Sequence, residues 1–289
     1  MGERLPVYKM NGIGNEIAVV DLRAGGAPLT EAEARALAAP ARGLAFDQLM
    51  ALHPGEGDRA ATVRIYNSDG SPAGACGNGI RCVADVLFRE AGGDRLVVDG
   101  PSGPLVLTRA AAPATYTADM GSPRFGWREI PLAHAVADTD AVEVPLPADA
   151  PALGPAVVVD MGNPHAVFWP AADVDLARWG PVVERHPLFP DRVNVSVARL
   201  VGPDHVRLDV WERGAGLTRA CGSAACATAV AAHRTGRTGR AVTVDLPGGS
   251  LGILWREDDG HVLMTGLVET EATGSIDRAS LSVRLERVA

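Results

Sequence analysis

The chain has a single lysine, Lys9, in 289 residues. An enzyme that holds pyridoxal phosphate as a Schiff base needs a lysine. Lys9 stands beside Met10-Asn11-Gly12, with no phosphate-binding glycine loop near it. There is also no G-x-G-x-x-G in a strand-turn-helix setting and no Walker A sequence. We therefore expect chemistry without a cofactor. No apolar run approaches the ~18 residues of a membrane span. The start, Met1-Gly2-Glu3-Arg4-Leu5-Pro6, lacks the apolar core of a signal peptide. Met1-Gly2 opens like a myristoylation signal, but Pro6 stands where Ser or Thr is required. The expected location is the cytoplasm, away from membranes.

Basic blocks and aromatic–basic stripes are absent as well, which argues against a nucleic-acid partner. The net charge is −8, from 35 acidic and 27 Lys and Arg side chains. That balance favours solubility and leaves a small molecule as the expected partner. The sequence sets no oligomeric state; a homodimer is compatible with it. Cysteine is scarce, at Cys76, Cys82, Cys221 and Cys226. A reducing compartment argues against a disulfide framework. The spacings, five and four intervening residues, are not the two-residue knuckles of a structural zinc site, so no metal is expected.

What the chain does contain is an internal echo. Val63-Arg64-Ile65 leads through Gly70 to Ala75-Cys76-Gly77-Asn78 and then an apolar, helix-like run. Val206-Arg207-Leu208 leads through Gly214 to Ala220-Cys221-Gly222-Ser223 and another such run. Upstream, Gly14-Asn15 and Gly162-Asn163 each sit about sixty residues before their cysteine. Two repeats this long are a duplicated domain rather than a solenoid, and 289 residues accommodate two domains. Facing across a pseudo-twofold, they would bring one cysteine each to a shared cleft.

Short β-branched runs recur at Leu105–Thr108, Ala156–Val159, Val193–Val197, Ala241–Leu246, Leu251–Trp255 and His261–Met264. Helices are expected at Thr30–Ala39, with Thr30 as N-cap, at Gly79–Ala91 and at Ser223–Arg234. Many strands with one principal helix per half read as α+β. The Ala- and Pro-rich stretch from Ala110 to Pro151 is where a crossover between halves is expected.

Each of Cys76 and Cys221 is followed by Gly and then a helix. A helix N-terminus carries unpaired N–H groups and about half a positive charge. It stabilises an anion and is expected to lower a thiol from its usual ~8.5 toward neutrality. Two such thiols suit stereoinversion beside a carboxylate, one removing the α-proton and the other delivering a proton from the opposite face. The helix starts would also stabilise the charge that develops on the carboxylate.

Six blocks carry a resemblance. They are Met10-Asn11-Gly12-Ile13-Gly14-Asn15, Tyr66-Asn67-Ser68-Asp69-Gly70-Ser71, Cys76-Gly77-Asn78-Gly79 with Arg81-Cys82, Met161-Gly162-Asn163-Pro164-His165, Trp211-Glu212-Arg213-Gly214 and Ala220-Cys221-Gly222-Ser223. In this order the chain resembles the diaminopimelate epimerase family. The resemblance implies conversion of LL-2,6-diaminopimelate to the meso form, toward lysine and peptidoglycan. It implies two pseudo-symmetric domains, each a mostly antiparallel or mixed sheet wrapped around a central helix. Residues 1–121 with 270–289 would form one and 122–269 the other.

By position, Cys76 and Cys221 would be the acid–base pair, and His165 and Glu212 would set protonation states. Gly77, Asn78, Gly222 and Ser223 would bind the reacting carboxylate. Asn15, Gln48, Asn67, Asn163, Asn194 and Arg213 would hold the distal end. Three positions depart from the commonest pattern: Asn11 where histidine is frequent, Glu16-Ile17 for an Asp-Phe pair, and Ala224 for a glycine.

Plainer readings stand beside these. Cys82 and Cys226 read as small core residues. His165 could be a turn histidine bonded to backbone, Glu212-Arg213 a surface pair, and the asparagines turn formers. His53, His134, His186, His205, His233 and His261 show no ligand spacing. Rival functions are a two-cysteine racemase acting on proline or hydroxyproline, a phenazine-biosynthesis isomerase lacking the cysteine pair, and a metal or redox protein using the four cysteines.

Overall fold

The computed structural model describes residues 3–288, so the Met1-Gly2 pair weighed as a lipidation signal lies outside the described residues. The chain divides into two compact units: residues up to Asp119 with those from Thr265 onward, and Met120–Met264. Unit 1 begins with β1 (Arg4–Asn11), β2 (Glu16–Asp21), α1 (Glu31–Ala38), β3 (Gln48–His53) and β4 (Ala61–Asn67). It continues with α2 (Gly77–Ala91), β5 (Arg95–Gly100), β6 (Gly103–Arg109) and β7 (Thr115–Asp119). Unit 2 holds β8 (Val157–Asp160), β9 (Pro164–Phe168), α3 (Leu176–Glu184), β10 (Asn194–Gly202) and β11 (His205–Glu212). After these come β12 (Gly216–Thr218), α4 (Gly222–Arg234), β13 (Ala241–Leu246) and β14 (Gly249–Trp255). β15 (Val262–Leu267) leads back to unit 1, which β16 (Glu269–Asp277) and β17 (Ser282–Arg287) complete.

The echo in the sequence is an echo in pairing. In unit 1, β1–β2 is antiparallel, β2–β3 parallel, β3–β4 antiparallel, β4–β5 parallel and β5–β6 antiparallel. In unit 2 the same alternation runs through β8–β9, β9–β10, β10–β11, β11–β13 and β13–β14. The principal helix enters at the same place, α2 between β4 and β5 and α4 between β11 and β13. Both units are mixed sheets with few helices, the α+β class expected.

Each principal helix is buried on every side. α2 is buried from Asn78 through Phe88 and packs on β2, β3, β6 and β7. α4 is lined by Ala224, Ala225, Ala227, Ala229, Ala231 and Ala232, small enough for strands β8 to β11, β13 and β14 to come close. A helix apolar all round has to be wrapped by other elements. Several of the polar groups carried inside with α2 are partnered. Asp85 accepts from Tyr116 Oη at 2.7 Å and from Arg89 Nη2 at 2.7 Å, and Arg81 Nη2 donates to Asn78 Oδ1 at 3.1 Å. This is how a buried ionic side chain is tolerated.

Thr30 caps α1 with a full capping box: its Oγ1 accepts from Glu33 N at 3.2 Å, while Glu33 Oε2 accepts from Thr30 N at 2.7 Å. One helix was not foreseen. α3 contains Gly180 and Pro181, which read as breakers, yet it forms behind an Asp175 N-cap whose Oδ1 accepts from Arg178 N at 3.2 Å. No helix among the described residues is long and apolar enough to cross a membrane.

Candidate active site

In unit 1 the sequence-predicted residues gather at the ends of β1, β2, β3 and β4 and at the start of α2. Cys76 is the N-cap of α2, and its Sγ accepts the Gly79 N–H at 3.1 Å. The helix thus begins at Gly77, two residues before the expected start. A Cβ at Gly79 would stand 2.5 Å from Met50 Sδ and 3.0 Å from Cys76 Sγ, so a larger residue here requires the Met50 side chain to move and crowds the thiol that closes this cap. Asn78 is buried beside it, and Gly12 at the β1–β2 turn lies directly on its Cβ. Gln48 and Asn67 face each other across β3 and β4, with Gln48 Nε2 donating to Asn67 Oδ1 at 3.3 Å. Asn67 Nδ2 in turn reaches Ser71 Oγ at 3.1 Å.

Asn15 is held by a residue the sequence did not flag. Asp47 Oδ2 accepts from Asn15 Nδ2 at 3.1 Å and from the Glu16 backbone N–H at 2.9 Å. A lone exposed aspartate before a strand gives no signal of this kind.

Unit 2 places its residues on the matching frame. His165 on β9 pairs with Asn194 on β10, as Ile17 pairs with Gln48 in unit 1. Asn67 and Glu212 each stand nine residues before their cysteine at the ends of β4 and β11. His165 is completely buried rather than a turn histidine on backbone. Its Nε2 lies 2.9 Å from Asn163 Oδ1, and Asn163 Nδ2 donates to Ser223 Oγ at 3.3 Å. The amide is therefore oriented with its oxygen toward the ring, so Nε2 carries the hydrogen. Nδ1 is left as a buried acceptor with no hydrogen-bond partner among the described residues. Burial, reinforced by the Arg213 charge, lowers the His165 pKa from 6.5 to about 3, so the ring is neutral.

Asn194 is a brace. Its Nδ2 donates to Pro164 O at 2.9 Å and its Oδ1 accepts the Arg213 backbone N–H at 2.9 Å. Arg213 Nη1 donates to Asp191 O at 3.0 Å.

Cys221 is the N-cap of α4 and is buried, with Sγ 3.6 Å from Ser223 Oγ. Here the structure corrects an expectation. The helix start was expected to lower this thiol, but its pKa is raised well above the usual value. Burial contributes most, then the charge of Glu212, whose carboxylate also accepts from the thiol. The Ser223 hydroxyl and the Ala224 N–H favour the thiolate and only partly offset this. The helix-terminal field is worth about 0.3–2 kcal/mol, less than the cost of burying an unpaired thiolate. Cys82 and Cys226 are buried inside their helices, and burial pushes the Cys82 thiol up, in keeping with inert core residues.

Comparison with known proteins bears on this arrangement. The diaminopimelate epimerase family model matches residues 7–126 and 157–271. A diaminopimelate epimerase from Afipia carboxidovorans is 54% identical over 274 residues, 93% of this chain and 94% of the relative. The chain belongs to the diaminopimelate epimerase family. Among solved structures, a predicted epimerase from Pseudomonas aeruginosa has a TM-score of 0.68 at 21% identity, covering 95% of this chain and 99% of its own. A hydroxyproline epimerase from Agrobacterium vitis, solved with bound trans-4-hydroxy-L-proline, has a TM-score of 0.66 at 16% identity, covering 98% and 96%. At those identities the likeness is one of fold.

Against the diaminopimelate epimerase pattern, the departures have local explanations. Asn11 Oδ1 accepts the Gly14 N–H at 2.6 Å and closes the loop that presents Asn15. Glu16 accepts from Asn11 Nδ2 at 3.3 Å and pairs with Lys9, the single lysine. Ile17 is fully buried. Ala224 occupies the place that Gly79 holds in α2, third after the cysteine, and is buried there.

Proposed function

We propose that this chain epimerises LL-2,6-diaminopimelate to meso-diaminopimelate without a cofactor, using Cys76 from one unit and Cys221 from the other as acid and base on one α-carbon. The observation that carries the reading is the equivalence of the two thiols. Each is the N-cap of the one buried helix of its unit, nine residues beyond the end of the same strand, in a chain 54% identical to a diaminopimelate epimerase.

One sulfur takes the α-proton as thiolate, and the other gives a proton to the opposite face of the carbanion. The intermediate's charge sits on the carboxylate oxygens, where N–H groups at Gly77, Asn78, Gly222 and Ser223 bind it. Cys221 rests as a thiol donating to Glu212, so it enters as the acid or passes its proton to that carboxylate. His165 stays neutral, and its Nε2–H fixes the Asn163 amide that reaches Ser223 beside Cys221, so it helps set protonation at the reacting centre as an uncharged dipole. Asn15, Gln48, Asn67, Asn163, Asn194 and Arg213 hold the distal amino-acid end, which a shorter amino acid would leave unsatisfied. The reaction belongs to the cytoplasm, where both thiols stay reduced, as a step toward lysine and peptidoglycan.

The test follows the α-proton of LL-diaminopimelate by NMR in deuterium oxide, with reduced protein and no pyridoxal phosphate. We expect loss of the signal with appearance of the meso isomer, abolished in Cys76→Ala and in Cys221→Ala. Folded, reduced protein that exchanges proline or hydroxyproline instead would overturn the substrate assignment.

A further inference from the structure

We propose that Glu184 is the residue that positions Glu212 and Arg213. Its side chain is almost completely buried at the C-terminal end of α3. Oε2 accepts the Trp211 indole Nε1–H at 2.7 Å. Oε1 accepts the Gly214 backbone N–H at 3.0 Å and faces Arg192 Nη1 at 3.4 Å. Trp211 and Gly214 flank the Glu212-Arg213 pair on either side, so one carboxylate grips both ends of the segment. Asn194 holds its middle through the Arg213 N–H. α3 is seated close enough for this: a Cβ at Gly180 would stand 2.5 Å from Trp211 Cγ.

The placement is costly unless it serves something. A helix C-terminus carries about half a negative charge and disfavours a carboxylate, and burying an ion costs several kcal/mol before partners compensate. An apolar side chain would fill the joint more cheaply. Unit 1 shows the contrast. Its equivalent turn, after β4, is held locally by Asp69 Oδ1 accepting from Ser71 N at 2.8 Å. Unit 2 draws its clamp from a helix about thirty residues upstream.

The proposal rests on Glu212 acting at Cys221, as in the reading above, but its test needs no substrate. Alkylation of Cys221 is followed against pH by peptide-resolved mass spectrometry, in wild type, Glu184→Gln, Glu212→Gln and the double variant. A glutamine turns an acceptor into a donor against Trp211 or Gly214, so the segment shifts and Glu212 leaves the thiol. We expect Glu184→Gln to speed Cys221 alkylation about threefold or more at pH 7.5 and to move its profile to lower pH. Buried Cys226, on the same helix, stays unreacted. Added to Glu212→Gln, the substitution changes nothing further. A wild-type profile in Glu184→Gln, or an equal shift in the Glu212→Gln background, overturns the proposal. If Glu184→Gln fails to fold, Trp211→Phe, which removes only the indole donor and keeps a ring on Gly180, is expected to move the profile in the same direction; no movement overturns the proposal. Wild-type protein that fails to epimerise diaminopimelate would sink the functional reading and leave this result standing.

Discussion

Asn163 Oδ1 sits 2.9 Å from His165 Nε2, and that contact assigns the ring hydrogen of a histidine whose other nitrogen has no partner among the described residues. A neutral, buried imidazole has consequences for stability as well as for chemistry.

The folded-state pKa of His165 is lowered from 6.5 to about 3. Between those values the unfolded chain binds one more proton than the folded chain, so this residue's contribution to stability falls as pH drops through the window. At 1.36 kcal/mol per pKa unit, the loss between pH 7 and pH 4 is roughly 2–4 kcal/mol. His165→Gln is expected to reduce the acid destabilisation by about that amount, read from urea midpoints at the two pH values. Parallel acid dependence in the two proteins would mean that His165 titrates normally when folded.

Gly79→Ala drives a methyl group against Met50 Sδ and Cys76 Sγ in a fully packed place. Overpacking of this kind costs about 1–3 kcal/mol. The thiol also loses its cap geometry, so epimerisation is expected to fall at least tenfold while Cys221 alkylation is unchanged. Ala224 already has a methyl group at the matching place, so Ala224→Gly is expected to keep near-full activity. Equal activity in Gly79→Ala and wild type would mean that Met50 gives way and that the cap does not depend on glycine here.

Asp47→Ala removes the acceptor of both the Asn15 amide and the Glu16 N–H. With two hydrogen bonds lost at an exposed site, stability is expected to fall by about 1 kcal/mol. Because Asn15 is assigned to the distal end of the substrate, KM should rise several-fold with kcat within about twofold. A fall in kcat at constant KM would move Asn15 to the reacting carbon.

Much of this frame could be read from residue order. The duplicated Gly-Asn and Ala-Cys-Gly blocks announce two units with a thiol at each helix start, and α2 and α4 begin there. Thr30 followed by Glu33 announces its own capping box. Three things were out of reach for physical reasons. α3 contains Gly180 and Pro181, and tertiary packing of Gly180 against Trp211 overrides their breaking tendency. Asp47 and Glu184 act on partners about thirty residues away, and nothing in local spacing marks a single carboxylate for such a task. The direction of the Cys221 shift depends on the depth of burial and on Glu212 reaching the sulfur, neither of which a helix-start argument supplies.

The shared strand frame has one more consequence. Ile17 and His165 occupy equivalent places in it, as do Asn67 and Glu212. Two half-length chains paired as a homodimer would be obliged to present the same residue at both members of each pair. Fusion into one polypeptide lifts that obligation. A neutral buried histidine and a glutamate can then be fitted to one half, while an isoleucine and an asparagine serve the other. A substrate held by one end while the other reacts makes use of this inequality, and tandem duplication is a route by which a symmetric ancestor acquires it.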